Sequence, residues 1–343
     1  MSKKRYLSYY LSNYFRLYLP GERGYSKETI SSYRDTFKQF LLFCRAETGK
    51  EPEMLCVSDM QRQLVINYLD DLEAKGRSVS TRNQRLAALK SFANYLKYEC
   101  PDNLYSLSGI LEIQMKKAKE NVVNYLPVDG IALILSKPNL HTKKGLRDAM
   151  ILTMLYDAAA RVSEITDIKV GDIRLESPAT IILHGKGSKD RIVPLSENTA
   201  SLVRSYILSF KLNEIHNKDK YLFQNRNGQQ FTRAGIAYIL KKYVDIARTE
   251  TPDIIPDKFS PHCMRHSKAM HLLQAGVAII YIRDFLGHCS INTTEVYARS
   301  DEKMKREALE KAYNNAIVPN SKEIELWNDD ETLMDFLTGL CKR

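Results

Sequence analysis

The sequence predicts a mainly α-helical protein with a small antiparallel β-sheet, divided into an all-α N-terminal domain of four helices and a mixed α/β domain. Four amphipathic stretches with apolar residues at helical spacing fill roughly the first 100 residues. Two runs rich in β-branched residues follow near residue 180 and are joined by a glycine-containing segment, which is typical of a β-hairpin. A chain of 343 residues is long enough for two domains, each with its own core.

Start and stop signals place the four N-terminal helices. Leucine, phenylalanine and tyrosine recur every four residues before Pro20, and we interpret this row as core packing rather than as a platform for stacked bases. Ser26 is a predicted N-cap for a second helix that ends near residue 47. Ser58 begins a third helix that ends at Lys75, and Ser80 begins a fourth that ends near residue 98.

Basic residues of this region are candidate contacts for a polyanionic partner. We expect Arg82 and Arg85 to point outward from the fourth helix, although a basic helical face is usually just solvated. Residues 101–124 lose clear periodicity, and we interpret them as a connection between domains. The helical domain then covers residues 1–118, with a linker to about residue 124 that carries three further candidate contacts: Lys116, Lys117 and Lys119.

Charge and hydropathy limit the class of protein. The net charge is +10, and it is uneven: +6 in residues 1–118, +7 in residues 119–300 and −3 in residues 301–343. A basic body suits a polyanion such as DNA. No run approaches the length of roughly 18 apolar residues that a membrane span needs, and the basic start lacks an apolar signal core. We therefore expect a cytoplasmic protein without membrane partners.

The six cysteines are scattered and form no C-x-x-C pair, which favours reduced thiols over a disulfide framework. A zinc site is an alternative near Cys263 and Cys289, because His262 and His266 have the i, i+4 spacing of helical metal ligands. Arg265 lies between these histidines and disfavours the metal, since its fixed positive charge would lie beside the ion.

The predicted hairpin pairs Ala179–His184 with Arg191–Leu195 through the segment GKGSKD. Two more helices are expected near Glu197–Glu214 and Arg233–Arg248, separated by a turn with an Asn-Gly pair. The sequence has no Walker-type phosphate loop and predicts no cofactor.

The stretch Pro261–Ser300 concentrates groups suited to phosphodiester chemistry. It contains four of the seven histidines, together with Arg265 and Tyr297. A phosphodiester needs cationic donors for its non-bridging oxygens, a nucleophile, and groups that transfer protons near neutral pH. On a helix that begins near Pro261, His262 and Arg265 lie on one face, where both can donate to one phosphate.

The pattern His262-x-x-Arg265, then Leu286-Gly287-His288, then Tyr297 nine positions later resembles the signature of the tyrosine recombinases, the phage-type integrases and Xer-like recombinases. The resemblance implies an upstream arginine in an R-x-S-E setting, which Arg161 satisfies. It also implies a hairpin lysine, which we assign to Lys186, with Lys189 as a rival and a further candidate DNA contact. One position departs from the family: Ala159 stands where a glycine is usual, so the backbone of this loop cannot be assumed identical.

The resemblance further implies a core-binding N-terminal domain that clamps DNA and a tyrosine-recombinase catalytic domain, here residues 125–315. The candidate DNA contacts of the first domain and its linker are Arg82, Arg85, Lys116, Lys117 and Lys119. Tyr297 is the expected nucleophile, leaving a 3′-phosphotyrosine and a free 5′-hydroxyl. Arg161 and Arg265 are expected to hold the non-bridging oxygens, and Lys186 to protonate the leaving 5′-oxygen. His262 is the expected proton acceptor for Tyr297, and His288 a hydrogen-bond donor to the phosphate. No metal is expected, because the two arginines supply the positive charge.

The predicted function is site-specific DNA recombination, for integration, excision, resolution or transposition. The partners are double-stranded DNA with inverted-repeat core sites and further copies of the chain, as a tetramer on paired sites. A type IB topoisomerase-like enzyme and an inactive DNA-binding accessory protein are alternatives. The tail, residues 316–343, carries an amphipathic segment at residues 329–341 that we expect to dock on a neighbouring protomer, or on its own catalytic domain.

Overall fold

The computed structural model describes residues 6–117, 124–185, 189–225 and 227–287, together with residues 290, 294, 295 and 297. The chain divides into two compact units, Met1–Asn121 and Val122–Arg343. The described residues are mainly helical and include one three-stranded antiparallel sheet, which confirms the predicted fold class. Within the described ranges, no helix is both long enough and apolar enough to cross a membrane.

Five α-helices make up the described part of the N-terminal unit: α1 Leu7–Asn13, which continues as π-helical turns Tyr14–Glu22, then α2 Lys27–Thr48, α3 Arg62–Ala74, α4 Val79–Glu99 and α5 Leu104–Leu111. Tyr14 lies at the centre of their core, fully buried, with its ring 5.0 Å from that of Phe92. The tyrosine row of the first helix therefore packs at least in part inward, as predicted. Ser26 caps α2, as predicted, by accepting a hydrogen bond from the backbone N–H of Thr29.

Two helix starts differ from the sequence-based expectation, and one further helix was not expected. Helix α3 begins at Arg62, because the expected cap, Ser58, lies inside a separate 3₁₀ turn, Val57–Asp59. Helix α4 begins at Val79, one residue before the expected start at Ser80, and Ser78 caps it. Helix α5 lies inside the segment that we interpreted as a connection, and its residues Leu107 and Ile110 are fully buried. An eight-residue helix is too short to show clear periodicity.

The expectation that Arg82 points outward is wrong. Its side chain is buried, and Nε lies 2.9 Å from Oε1 of Glu73 on α3. Arg85 is half-buried and donates to the hydroxyl oxygen of Thr36 at 2.8 Å and to the carbonyl of Ser32 at 3.2 Å. Both arginines therefore connect helices of the N-terminal unit, and a role for either in DNA binding stays a prediction.

From the hairpin to the helix that begins at Pro261, the C-terminal unit follows the predicted order of elements. Its described elements are α6 Val128–Ser136, α7 Lys143–Tyr156, α8 Val162–Asp167, β1 Ile173–Arg174, β2 Thr180–Gly185, β3 Lys189–Pro194, α9 Glu197–Ser209, α10 Arg233–Glu250, α11 Pro261–Gln274 and α12 Ile279–Leu286. The strands are ordered β1-β2-β3, and the β2–β3 register pairs Ile181 with Val193. Both side chains are fully buried, which anchors the sheet on the main core beside α7.

A second, smaller apolar cluster lies where α11 and α12 meet. It contains buried residues of both helices together with Ala159 and Tyr297. This cluster is the packing environment of the candidate site. Lys119, Lys186, His288 and the predicted tail 316–343 lie outside the described residues.

Candidate active site

Arg161 is held at the start of α8 by a carboxylate one helical turn later. Its backbone N–H donates to Oε2 of Glu164 at 2.8 Å, and its Nη1 donates to Oε1 of the same side chain at 2.6 Å. Glu164 is buried, whereas the Arg161 side chain keeps 30% of its surface exposed. The R-x-S-E sequence therefore fixes the orientation of a guanidinium group that still faces solvent on one side.

The loop before α8 has the backbone conformation that glycine favours, although alanine occupies it. Ala159 has φ of 44°, and its side chain is fully buried. Its carbonyl oxygen accepts a hydrogen bond from Nη1 of Arg265 at 2.7 Å. The left-handed turn thus aims a backbone acceptor at one of the expected catalytic arginines.

Arg265 follows His262 on the first turns of α11, which begins at Pro261 as predicted. Its guanidinium group is buried, with Nη1 bonded to Ala159 and Nη2 to the carbonyl oxygen of Leu286. Burial and the neighbouring groups of Arg161 and Arg191 lower the pKa of Arg265. The group still carries its charge at neutral pH, because a guanidinium begins from a very high pKa.

Arg191 is a site residue that the sequence analysis did not identify. It lies on β3, and its two terminal nitrogens donate to the two carboxylate oxygens of Glu164, both at 2.8 Å. Burial acts to raise the pKa of Glu164, but hydrogen bonds from Arg191 and Arg161 reverse this effect and leave the pKa below its ordinary value. Arg191 therefore ties the hairpin to the carboxylate that orients Arg161.

The C-terminal turn of α12, residues 285–287, accepts hydrogen bonds from three arginines. The carbonyl of Phe285 accepts from Arg191 Nε at 3.0 Å, that of Leu286 accepts from Arg265, and that of Gly287 accepts from Arg161 Nη2 at 3.2 Å. Carbonyls at a helix C-terminus lack partners within the helix and carry the negative end of its dipole. We call this segment the arginine-binding turn; it gathers guanidinium groups from α8, β3 and α11 at one place.

Tyr297 lies near these guanidinium groups, and its ring is buried. Its hydroxyl is 2.7 Å from Nδ1 of His266, one residue beyond Arg265 on α11. Burial raises the pKa of Tyr297, and the positive charges of Arg265 and Arg161 act in the opposite direction. The phenol therefore lies within the electrostatic range of both arginines.

His262 and His266 occupy one face of α11, with ring centroids 6.4 Å apart. Burial and the charges of Arg265 and Arg161 lower the pKa of His262. Burial, His262 and Arg265 lower the pKa of His266 to about 4. The imidazole of His266 is therefore neutral at pH 7. The described hydrogen bond to Tyr297 is made by His266, whereas the sequence analysis gave the role of proton acceptor to His262.

The structure describes only some of the other predicted positions. Lys186 and His288 lie outside it, so their roles stay predictions. Lys189, Lys116 and Lys117 have exposed side chains, and Lys116 is paired with Glu73 at 2.7 Å. Among the residues that the structure describes, no group of three or more His, Cys, Asp or Glu is arranged to hold a metal ion.

Two family models match the chain. The model described as Phage integrase family matches residues 124–304, and that described as Phage integrase, N-terminal SAM-like domain matches residues 13–99. The protein of Sinorhizobium fredii named "Putative integrase/recombinase y4rC" is 34% identical over 342 residues, which covers 99% of this chain and 100% of that protein. Tyrosine recombinase XerD of Listeria monocytogenes is 30% identical over 286 residues, covering 82% of this chain and 91% of that protein.

A solved structure has a similar fold. The post-cleavage complex of the XerH site-specific recombinase bound to palindromic difH substrate matches with a TM-score of 0.66 and 22% identity, over 84% of this chain and 80% of that chain. At this identity the likeness concerns the fold alone. The family models and the relatives of 30% identity or more match the amino-acid sequence of this chain, and they cover most of it. With the guanidinium cluster and the neighbouring tyrosine in place, the chain belongs to the phage integrase family of tyrosine recombinases.

Proposed function

We propose that this protein is a site-specific DNA recombinase that cuts and rejoins DNA strands through Tyr297. The observation that carries the proposal is the convergence of two positive charges on one phenol. Arg161 and Arg265 come from different helices and are both bound by the arginine-binding turn. The charge of each acts to lower the pKa of Tyr297. A pentavalent phosphorane-like transition state carries extra negative charge on its non-bridging oxygens, and fixed guanidinium donors stabilise that charge.

In the proposed reaction, the phenolic oxygen of Tyr297 attacks phosphorus and the 5′-oxygen leaves. Arg161 and Arg265 bind the non-bridging oxygens. Lys186 protonates the leaving 5′-oxygen, and His288 donates a hydrogen bond to the phosphate. The phenolic proton passes to a histidine of α11, for which His262 is the residue expected from the family resemblance. The bond energy is conserved in a 3′-phosphotyrosine, so rejoining needs no nucleotide cofactor.

A suicide substrate tests the chemistry. A core-site duplex with a nick close to the cleavage point traps the covalent protein–DNA adduct, because the short 5′-hydroxyl fragment diffuses away. The wild-type chain is expected to form the adduct, and Tyr297→Phe to bind the same duplex without forming it. Adduct formation by Tyr297→Phe would contradict the assignment. Absence of an adduct with the wild-type chain on its own site would favour the accessory-protein alternative.

Replacement of the leaving 5′-oxygen by sulfur tests Lys186, because a thiolate leaves without needing a proton. Lys186→Ala is expected to be slow on the normal substrate and much faster on the sulfur substrate. Lys189→Ala serves as the matched control on the same hairpin. A Lys186→Ala protein that sulfur does not rescue would count against this role.

We further propose that the partners are DNA with inverted-repeat core sites and three further copies of the chain. Exchange between two duplexes requires four strand cuts and hence four active sites. The tail after residue 316 is proposed to link protomers, and it lies outside the described residues. Deletion of residues 320–343 is expected to preserve covalent attachment to a single site and to abolish exchange between two sites.

Efficient relaxation of supercoiled DNA lacking a core site would instead favour the topoisomerase alternative.

A further inference from the structure

The hydroxyl of Tyr297 has an immediate partner that the expected catalytic set does not include. His266 Nδ1 lies 2.7 Å from the phenolic oxygen, and the two rings are 5.6 Å apart between centroids. The distance is that of a good hydrogen bond between two side chains that can exchange a proton. Because the phenolic oxygen is the atom that attacks phosphorus, its partner is in direct contact with a reacting atom.

The surroundings of His266 keep its imidazole unprotonated before the reaction. The imidazole is half-buried on α11, between His262 one turn before it and the charged group of Arg265 next to it. These neighbours and burial lower the pKa of His266 to about 4, so the ring is neutral throughout the physiological range. A neutral imidazole has one nitrogen free to accept, and the tautomer with its proton on Nε2 leaves Nδ1 facing the phenol.

We propose that His266 is a catalytic residue that accepts the phenolic proton of Tyr297 as the tyrosine attacks DNA, a role that rests on the proposed recombinase function. The bond from Oη to phosphorus forms while the bond from phosphorus to the 5′-oxygen breaks. The proton of Oη passes to Nδ1 of His266, and the leaving 5′-oxygen takes a proton from the general acid, proposed to be Lys186. In the rejoining step His266 returns the proton to the departing phenol.

The charges around this pair act on the two partners of the transfer in opposite ways. Arg265 and Arg161 stabilise the phenolate that develops on Tyr297, whereas Arg265 opposes a lasting positive charge on His266. The proton therefore resides on His266 only while the phosphate is bound between these groups, since the added negative charge of the phosphate offsets the arginines. His262 lies on the same helical face but has no described hydrogen bond to the phenol, and it remains free to face the phosphate.

The experiment is single-turnover cleavage of a suicide substrate by the full-length chain, measured from pH 5 to pH 10. His266→Asn keeps a side-chain oxygen that accepts a hydrogen bond from the phenol, but it cannot take up the proton. We expect adduct formation by His266→Asn to be about 100-fold slower or more at pH 7, the usual contribution of a positioned base. Its rate should rise with pH up to the range where the phenol ionises without help, whereas the wild-type rate should be nearly flat above pH 6.

Two histidines of the same helix provide matched controls. His262→Asn tests the alternative acceptor directly. His271→Asn removes a half-buried imidazole that bonds to Tyr156 and to the carbonyl of Leu126, so it reports on disturbance of α11 without touching the phenol. We expect His271→Asn to leave the shape of the pH profile unchanged. Substitution of Tyr297 by a fluorotyrosine, whose phenol is more acidic, should restore the rate of His266→Asn far more than it accelerates the wild type.

Each outcome decides the proposal. A wild-type rate and a flat profile for His266→Asn, with a slow and pH-dependent His262→Asn, would overturn it and assign the proton to His262. Faster cleavage by His266→Asn would also overturn it, because the hydrogen bond would then hold the tyrosine in a resting position. If the wild-type chain itself forms no adduct, the proposed function fails rather than this inference.

Discussion

Ala159 combines a left-handed backbone with a fully buried methyl group. Ala159→Val is expected to destabilise the protein by about 2 kcal/mol or more, because a β-branched side chain fits this conformation poorly and overfills the apolar cluster. For Ala159→Gly three effects nearly cancel: relief of backbone strain, loss of a buried methyl group and a freer unfolded chain. We therefore expect Ala159→Gly to stay within about 1 kcal/mol of the wild type. Urea unfolding of both variants measures the difference, and equal losses would contradict the strain argument.

Glu164 makes stability depend on acid pH. Although burial favours its neutral form, Arg191 and Arg161 hold its pKa below the ordinary 4.5 in the folded protein. A group with a depressed folded pKa contributes stability above its unfolded pKa, and this contribution is lost as pH falls through the folded value. Glu164→Gln should therefore lower stability at pH 7 and flatten the decline of stability below about pH 4.5. Unfolding midpoints from pH 3 to pH 7 measure this, and parallel curves for the two proteins would refute the linkage.

At the scale of elements, the arginine-binding turn depends on Gly287. This residue has φ of 63°, and a Cβ there would lie 3.0 Å from Cδ of Arg191. Gly287→Ala is expected to lose about 1 to 2 kcal/mol of stability from backbone strain and to slow covalent attachment as well, because Arg191 must move.

The matched control is Gly276→Ala at the end of α11. Its φ is 81°, and nothing lies within 4 Å of the Cβ position. This variant should show a similar loss of stability with cleavage retained. Equal cleavage by the two alanine variants would show that displacement of Arg191 does not matter for the reaction.

Much of the element order could be predicted from the sequence, because periodicity and turn residues are local signals. The hairpin, α10 and α11 lie within a few residues of their expected positions. Pairings between distant side chains could not be predicted in the same way. Arg191 meets a carboxylate 27 residues away, and His266 meets a phenol 31 residues away. His266 stood out in the sequence only as a possible metal ligand, since spacing along a helix shows which residues share a face but not what they contact.

For the whole molecule, the net charge of +10 predicts DNA binding that weakens steeply with salt. Lys117 is exposed, whereas Arg82 is buried against Glu73. Lys117→Ala should weaken binding and reduce the slope of log K against log salt by about 1, as expected for the loss of one phosphate contact. Arg82→Ala should leave the slope unchanged and lower the stability of the N-terminal unit. Fluorescence anisotropy between 50 and 300 mM salt measures the slopes, and a reduced slope for Arg82→Ala would restore its DNA-contact role.

The arginine-binding turn also has a consequence for the order in which the chain matures. Its contacts to Arg191 and to Arg161 span 94 and 126 residues of sequence, and the contact between Ala159 and Arg265, which the turn also binds, spans 106. Contacts of such separation form late in folding, after the local helices and the hairpin. A chain still emerging from the ribosome, or one whose α12 has detached, lacks the assembled guanidinium groups even where its basic surface already attracts DNA. The proposed strand cleavage through Tyr297 therefore requires the completely folded molecule.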